Sequence, residues 1–157
     1  HLPETKPQRL CADKHFPQGI VRYLDEIGLL SPRLTLAHCT WAREDDLDLI
    51  AKSGATISVN SSSNLGLRSG LAPVAAMLKA GCNVAMGLDG LTFNEDDDAL
   101  SEMRLTHSLH RGWGFEQVIP DARMLQIALA AGRAGVTGRP EGGVIAPGAP
   151  ADLLVLD

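Results

Sequence analysis

Residues 34–59 read LTLAHCTWAREDDLDLIAKSGATISV, and this stretch decides the fold. Leu34-Thr35-Leu36-Ala37-His38 is a short apolar run ending on a histidine, the pattern of a buried strand. Thr40 stands where a helix cap is expected, and Arg43 to Lys52 places Leu47, Ile50 and Ala51 on one helical face. Gly54 stops that helix, and Ala55-Thr56-Ile57-Ser58-Val59 is the next strand. Strand, helix and strand in this order describe a parallel crossover, since parallel strands need a helix-sized connection.

The alternation continues on both sides. Pro17 precedes a helix from Gly19 to Leu30, with Ile20, Val21, Leu24 and Ile27 on one face and Gly28 at its end. Residues 60–70, NSSSNLGLRSG, are polar and glycine-bearing and predict a loop. A helix from Pro73 to Lys79 ends at Gly81, and Asn83-Val84-Ala85-Met86-Gly87-Leu88 is the third clear strand. Two longer helices, Asp96 to Arg111 and Asp121 to Arg133, follow. A Gly/Pro-rich segment, Gly138 to Pro150, then leads to a short final strand, Asp152 to Leu156. Short apolar strands alternating with helices predict an α/β fold whose parallel strands are covered by helices on at least one face.

A chain of 157 residues is long enough for a domain with a core, and too short for a complete eight-fold α/β barrel of about 250 residues. Hydrophobic residues at 45% and charged residues at 21% fit a soluble globular protein. No stretch approaches the roughly 20 apolar residues of a membrane span, and no basic-then-apolar leader opens the chain. A net charge of −5 argues against a nucleic-acid partner, which calls for a basic stripe. A small-molecule partner is expected. Cys11, Cys39 and Cys82 are odd in number and lack C-x-x-C spacing, which predicts reduced thiols in a cytoplasmic protein. Alternation along a strand turns Cys39 away from whatever His38 addresses, so Cys39 is expected to be buried and inert.

The chemically capable residues stand at strand ends. His1-Leu2-Pro3-Glu4, Ala37-His38-Cys39 and Gly87-Leu88-Asp89-Gly90 bring two imidazoles and two carboxylates to such positions. The C-terminal ends of parallel strands are where α/β proteins keep their sites, and this residue set suits a hydrolytic metal site. Taken singly, each has an ordinary alternative. His38 can be a hydrogen-bonded structural residue, Asp89 a helix cap and Glu4 a solvated charge. Asp96-Asp97-Asp98 precedes a helix and complements its dipole. His107 and His110 read as surface or packing residues. Trp41 and Trp113 read as core aromatics, with Trp41 kept as a candidate substrate contact.

In sum these motifs resemble the second half of the amidohydrolase superfamily barrel, in its cytosine deaminase, chlorohydrolase and S-adenosylhomocysteine deaminase-like branch. His1-Leu2-Pro3-Glu4 is similar to the H-x-x-E after the fifth strand, and Ala37-His38-Cys39 to the motif after the sixth. Ser61-Ser62-Ser63-Asn64-Leu65 resembles the P-x-S-N-x-x-L loop after the seventh strand, with Ser61 where a proline is usual. Gly87-Leu88-Asp89-Gly90 resembles the G-T/S-D-G after the eighth, and Glu102-Met103-Arg104 the helix beyond it. Gly143 to Gly148 with Ala151-Asp152-Leu153 resembles the re-entry into a small β-sandwich.

The resemblance implies strands five to eight of a (β/α)8 TIM-like barrel with trailing helices over residues 1–137. Residues 138–157 would form a linker and the re-entry strand of the sandwich. It implies a metal-dependent hydrolase that removes an exocyclic amine from a nitrogen heterocycle of purine, pterin, pyrimidine or triazine type. A triazine-type chlorohydrolase, or a fragment inactive on its own, are the alternatives. One divalent metal is implied, zinc ahead of iron, with His1 and Asp89 as ligands. Glu4 would carry protons to a ring nitrogen, Asp89 would also take a proton from water, and His38 would act on substrate or water rather than on the metal. The substrate would touch Glu4, His38 and Trp41, and the complete protein would be a homo-oligomer. The family's H-x-H pair of ligands does not occur in these 157 residues, so the chain alone is expected to hold metal poorly.

Overall fold

Leu36, Ile57 and Val84 lie in register across three parallel strands, and all three are buried. The computed structural model describes residues 1–90, 97–139 and 142–155. Its strands are β1 (Thr35–Ala37), β2 (Thr56–Val59) and β3 (Asn83–Met86), in the sheet order β1-β2-β3. Leu2 adds an isolated parallel bridge to His38, its N–H donating to the Ala37 carbonyl at 3.2 Å. The Trp41 N–H donates to the Pro3 carbonyl at 3.1 Å. Residues 1–4 are thereby fastened beside the C-terminal end of β1.

The strands are shorter than their apolar runs. β1 stops at Ala37 because His38 and Cys39 both take left-handed backbone, at φ 70° and 47°, and Asp89 beyond β3 does the same at 68°. Non-glycine residues rarely adopt this conformation, and those that do cluster at functional sites. His38 has therefore already left the strand. Cys39 still ends in the hydrophobic core, as expected, through this turn rather than through strand alternation.

The helices are α1 (Lys6–His15), α2 (Ile20–Glu26), α3 (Glu44–Ser53), α4 (Ser61–Gly66), α5 (Val74–Lys79), α6 (Ala99–His110), α7 (Asp121–Gln126) and α8 (Gly132–Thr137), with a π-helical segment Ile127–Ala131 between the last two. Leu47 and Ile50 of α3 and Val74 and Met77 of α5 bury their side chains with those of the strands. The π-helical segment packs on β3 and α8 on β2 and β3. Gly135 of α8 permits that close approach, since a Cβ there would stand 3.0 Å from Thr56 Cγ2.

Several sequence expectations are corrected. α1 has no counterpart in the alternation, yet its start is a capping box: Thr5 Oγ1 accepts from the Gln8 N–H, and Gln8 Oε1 from the Thr5 N–H. α2 is shorter than Gly19–Leu30 because Gly19 and Gly28, at φ 101° and 73°, bracket it. The cap before α3 is Arg43, whose N–H donates to Asp46 Oδ2 at 2.9 Å, and not Thr40. The helix beyond Asp121 runs past Arg133 to Thr137 with a π-helical insertion. Asp98 caps α6 through hydrogen bonds from the Leu100 and Ser101 N–H groups, so it serves the helix end as anticipated, while Asp96 lies outside the described residues.

The loop predicted at residues 60–70 contains α4. Serine and asparagine favour caps and turns over helix interiors, and here tertiary hydrogen bonds overrule that preference. Ser61 Oγ meets Thr106 Oγ1 at 2.8 Å, and the Ser62 N–H donates to Glu102 Oε1 at 3.1 Å. At the other end of the chain, residues 151–155 carry no strand, and Leu153, Leu154 and Val155 remain exposed. A strand needs a partner edge, and none of the described residues offers one there; Leu156 lies outside them. Among the described residues no helix is long and apolar enough to cross a membrane.

Candidate active site

The C-terminal ends of the three strands and the Leu2 bridge lie side by side at one edge of the sheet, and four of the anticipated residues meet there. His38 is fully buried and forms the hub. Its Nδ1 lies 2.9 Å from Asn64 Oδ1, an atom that only accepts, so Nδ1 carries a proton, and in the neutral ring Nε2 is the bare nitrogen. The Asn60 amide nitrogen, 3.5 Å from the same Nδ1, is then a packing neighbour, because both atoms are donors. Asn60 is itself held by Ser58, whose hydroxyl donates to Asn60 Oδ1 at 3.0 Å.

The bare Nε2 faces the remaining site residues. It accepts from His1 Nδ1 at 3.0 Å, and it stands 3.7 Å from Glu4 Oε2 and 3.7 Å from Asp89 Oδ2. His1 Nδ1 lies 3.8 Å from Glu4 Oε2. One ligand atom each from His1, His38 and Asp89 falls within 4.8 Å of the others. An imidazole nitrogen of His1 and a carboxylate oxygen of Asp89 are donors that zinc and ferrous iron accept, and they are two of the three or more protein ligands usual in catalytic zinc sites, with His38 beside them. The donor set fits the metal that the sequence implies.

Each group is oriented from behind. Ser63 donates to Asp89 Oδ2 at 2.6 Å, and Ser69 donates to Glu4 Oε1 at 2.9 Å. Ser63 and Asn64 are consecutive residues of α4, so one short helix grips both Asp89 and His38. Glu102 and Thr106, one turn apart on α6, hold α4 in place through Ser62 and Ser61. The supporting residues Asn60, Ser63, Asn64 and Ser69 were given no role from the sequence. Ser63 and Asn64 stood inside the quoted S-N motif, but a motif does not disclose which neighbours its side chains reach.

The other candidates fall elsewhere. Trp41 is half-exposed and its indole N–H donates to the Ser69 carbonyl at 2.8 Å, which places it beside the Glu4 support and not in the core. Trp113 is 85% exposed and packs into neither core nor site. His107 Nε2 donates to the Ile119 carbonyl at 2.9 Å, and burial lowers the His110 pKa; neither imidazole joins the cluster around His38. Burial pushes the Cys39 thiol up to about 12, with Asp46 adding to the effect, which leaves no thiolate beside His38.

Known proteins resemble this chain in sequence and in fold. A 5'-deoxyadenosine deaminase of Methanosarcina barkeri is 35% identical over all of this chain, which spans 36% of that protein. A 5-methylthioadenosine/S-adenosylhomocysteine deaminase of Nitratidesulfovibrio vulgaris is 37% identical over the same share. The chain thus spans about a third of the length of these curated relatives. Among solved structures, a zinc-bound adenosine deaminase from Xanthomonas campestris superposes with a TM-score of 0.73 at 29% identity, over 85% of this chain and 30% of that one. A triazine hydrolase variant gives 0.81 at 25% identity, over 96% and 33%. The Amidohydrolase family model matches residues 11–157, and with the strand-end histidines and carboxylates already in place, this chain belongs to the amidohydrolase family.

Proposed function

We propose that the complete protein is a metal-dependent aminohydrolase that replaces an exocyclic amine of a nitrogen heterocycle with oxygen and releases ammonia. The observation that carries this reading is the convergence of His1, His38 and Asp89 on one point, with the carboxylate of Glu4 beside it on its own anchor. The relatives named above are deaminases of adenosine-type compounds, which favours an adenine ring as the heterocycle.

In this reading His1 and Asp89 hold a divalent metal, zinc ahead of iron, and His38 stays outside the ligand set. The metal, when bound, acts as a Lewis acid that lowers the pKa of water from 15.7 towards about 7. Glu4, 9% exposed, presents Oε2 to the interior and delivers a proton from it to a ring nitrogen, so that the neighbouring ring carbon accepts oxygen, and it takes a proton back from that oxygen as the carbonyl forms. Asp89 takes a proton from water on the carboxylate that Ser63 steadies, and that proton leaves with the amine. His38 accepts a hydrogen bond at its bare Nε2 and orients the attacking oxygen. Trp41 offers a ring edge for the heterocycle at the side of the site where Ser69 and Glu4 meet. The division into a barrel part, 1–137, and a following segment, 138–157, belongs to the same reading, as do a homo-oligomeric assembly and a cytoplasmic setting; the three unpaired thiols accord with that setting.

The test is a screen of heterocycles on the complete protein, with 5'-deoxyadenosine, S-adenosylhomocysteine, guanine, cytosine and a chlorotriazine as probes. Ammonia release from an adenine derivative is expected. Chloride release without ammonia would assign the chlorohydrolase chemistry instead. Glu4→Gln keeps the side chain's size and removes the transferable proton, so kcat should fall by about 10²–10⁴-fold with metal content unchanged. His38→Asn should lower kcat and keep one metal per chain; loss of the metal would make His38 a ligand.

A further inference from the structure

We infer that Ser69 is the positioning residue of the Glu4 carboxylate, and that Trp41 holds Ser69 in place to do so. This rests on the proton-transfer role proposed for Glu4. The two oxygens of Glu4 have different surroundings. Oε2 looks towards His1 Nδ1 and His38 Nε2 at 3.8 and 3.7 Å, while Oε1 accepts from Ser69 Oγ at 2.9 Å. Ser69 is 3% exposed, so water does not replace its hydroxyl readily. A single donor on one oxygen sets the rotation of the carboxyl group and directs the other oxygen into the site.

Ser69 lies in the connection between α4 and α5, where the chain has no strand or helix of its own to hold it. It is fastened at two points. Its N–H donates to the Asn64 carbonyl at 2.8 Å, and its carbonyl accepts from Trp41 Nε1 at 2.8 Å. Gly70, at φ 119°, lets the chain pass close under Trp41, since a Cβ there would stand 3.2 Å from Thr40 Cγ2 and 3.7 Å from Trp41 Nε1. Trp41 is tied in turn to the Glu4 segment, its backbone N–H donating to the Pro3 carbonyl at 3.1 Å. Pro3, Glu4, Ser69 and Trp41 thus close a ring of contacts around one carboxyl group. A hydroxyl of purely structural use would not need to end on the group that transfers the proton.

The test is a double-mutant cycle on the complete protein, with 5'-deoxyadenosine as probe. Ser69→Ala should lower kcat by about 10- to 100-fold, the range found when an orienting partner is removed, with KM and metal content close to those of the parent. Ser69→Thr, which retains the hydroxyl, should recover most of the loss. In the Glu4→Gln background Ser69→Ala should cost nothing further, because its effect passes through Glu4. A parallel thermal unfolding curve separates loss of fold from loss of alignment. Additive losses in the double variant, or Ser69→Ala at parental kcat, would overturn the role of Ser69 and leave Glu4 untouched. Near-parental activity of Glu4→Gln would overturn the proton-transfer reading itself. Trp41→Phe keeps the ring and removes the Nε1 donor; a fall in kcat at constant KM supports the Trp41 support, and an unchanged kcat overturns it.

Discussion

Ser63 donates its hydroxyl to Asp89 Oδ2 at 2.6 Å, joining the helix after β2 to the aspartate after β3. Asp89 stands on left-handed backbone, and its Oδ2 also faces His38 Nε2 at 3.7 Å, beyond direct hydrogen-bond reach. Ser63→Ala should therefore weaken metal retention in the complete protein by about 10- to 100-fold, the usual cost of losing a partner behind a ligand. Chelator competition followed by metal analysis measures this. Retention equal to the parent would show that Asp89 needs no support from α4.

How much of this was legible in the sequence follows from where each contact is made. His38 and Asp89 end runs of apolar residues, so their place at the strand ends is a local property, visible as a pattern. α1 is also local, written in the Thr5 and Gln8 capping box, but it stands ahead of the helix–strand alternation and so outside that pattern. α4 was not local: Ser61-Ser62-Ser63-Asn64 has the composition of a turn, and it becomes a helix only because Glu102 and Thr106, some forty residues on, reach back to it. Ser69 and its partner Glu4 are 65 residues apart, and a lone serine in a polar stretch carries no sign of such a bond. The final strand failed for a related reason, since strand pattern alone does not supply a partner edge.

Asn64 decides which nitrogen of His38 is bare. Replacing it by leucine of similar size removes the acceptor and leaves a buried N–H unsatisfied, a change that typically costs about 1–3 kcal/mol. Asn64→Leu should lower both stability and kcat, while in the parent the ¹⁵N shifts of His38 should show a proton on Nδ1. A proton on Nε2 in the metal-free parent would contradict the assigned tautomer.

The thiols offer a pH test. Cys39 is pushed up to about 12 and Cys82 to about 11, both chiefly by burial, whereas Cys11 is exposed. A raised thiol pKa leaves the neutral form dominant well above neutrality, and the neutral form is the unreactive one. At pH 8 a disulfide reagent should label Cys11 quickly and leave Cys39 and Cys82 unlabelled until denaturant is added. Fast labelling of native Cys39 would mean that the turn after β1 opens more readily than its burial implies.

Arg9 and Asp46 tie α1 to α3 with almost no exposure, at 6% and 2% of their side chains. Asp13 adds a second carboxylate to Arg9 at 2.9 Å and also pairs with Arg43, so the cluster bridges the two helices twice. Removing one partner of a buried pair costs up to about 3–5 kcal/mol when the other charge is stranded, and Asp13, which stays paired with Arg9, holds the cost of losing Asp46 below that. Asp46→Asn should lower the unfolding midpoint of the complete protein far more than Asp48→Asn on the same helix. Because α1 follows Glu4 directly, kcat should fall as well. Equal midpoints for the two variants would show that the cluster is solvated in solution.

Gly87 is the least obvious sensitive position, since it bears no side chain and lies just outside β3. Its N–H donates to the Val59 carbonyl at 3.0 Å, which pins the backbone against β2. A Cβ there would stand 2.5 Å from both Asn60 Oδ1 and Ser58 Oγ, well inside contact distance. Gly87→Ala must therefore push Asn60 aside, and Asn60 packs on the Nδ1 side of His38. Overpacking of this kind costs about 1–3 kcal/mol, and the displacement is transmitted to the hub of the site. The expected result is a lower unfolding midpoint together with a fall in kcat that exceeds what the lost stability explains. Combining Gly87→Ala with Ser58→Ala removes one of the two clashes and frees Asn60 to move away, so part of the stability should return while kcat stays low. A Gly87→Ala protein with parental midpoint and kcat would show that the strand end has room the geometry does not allow, and would remove Asn60 from the chain of supports behind His38.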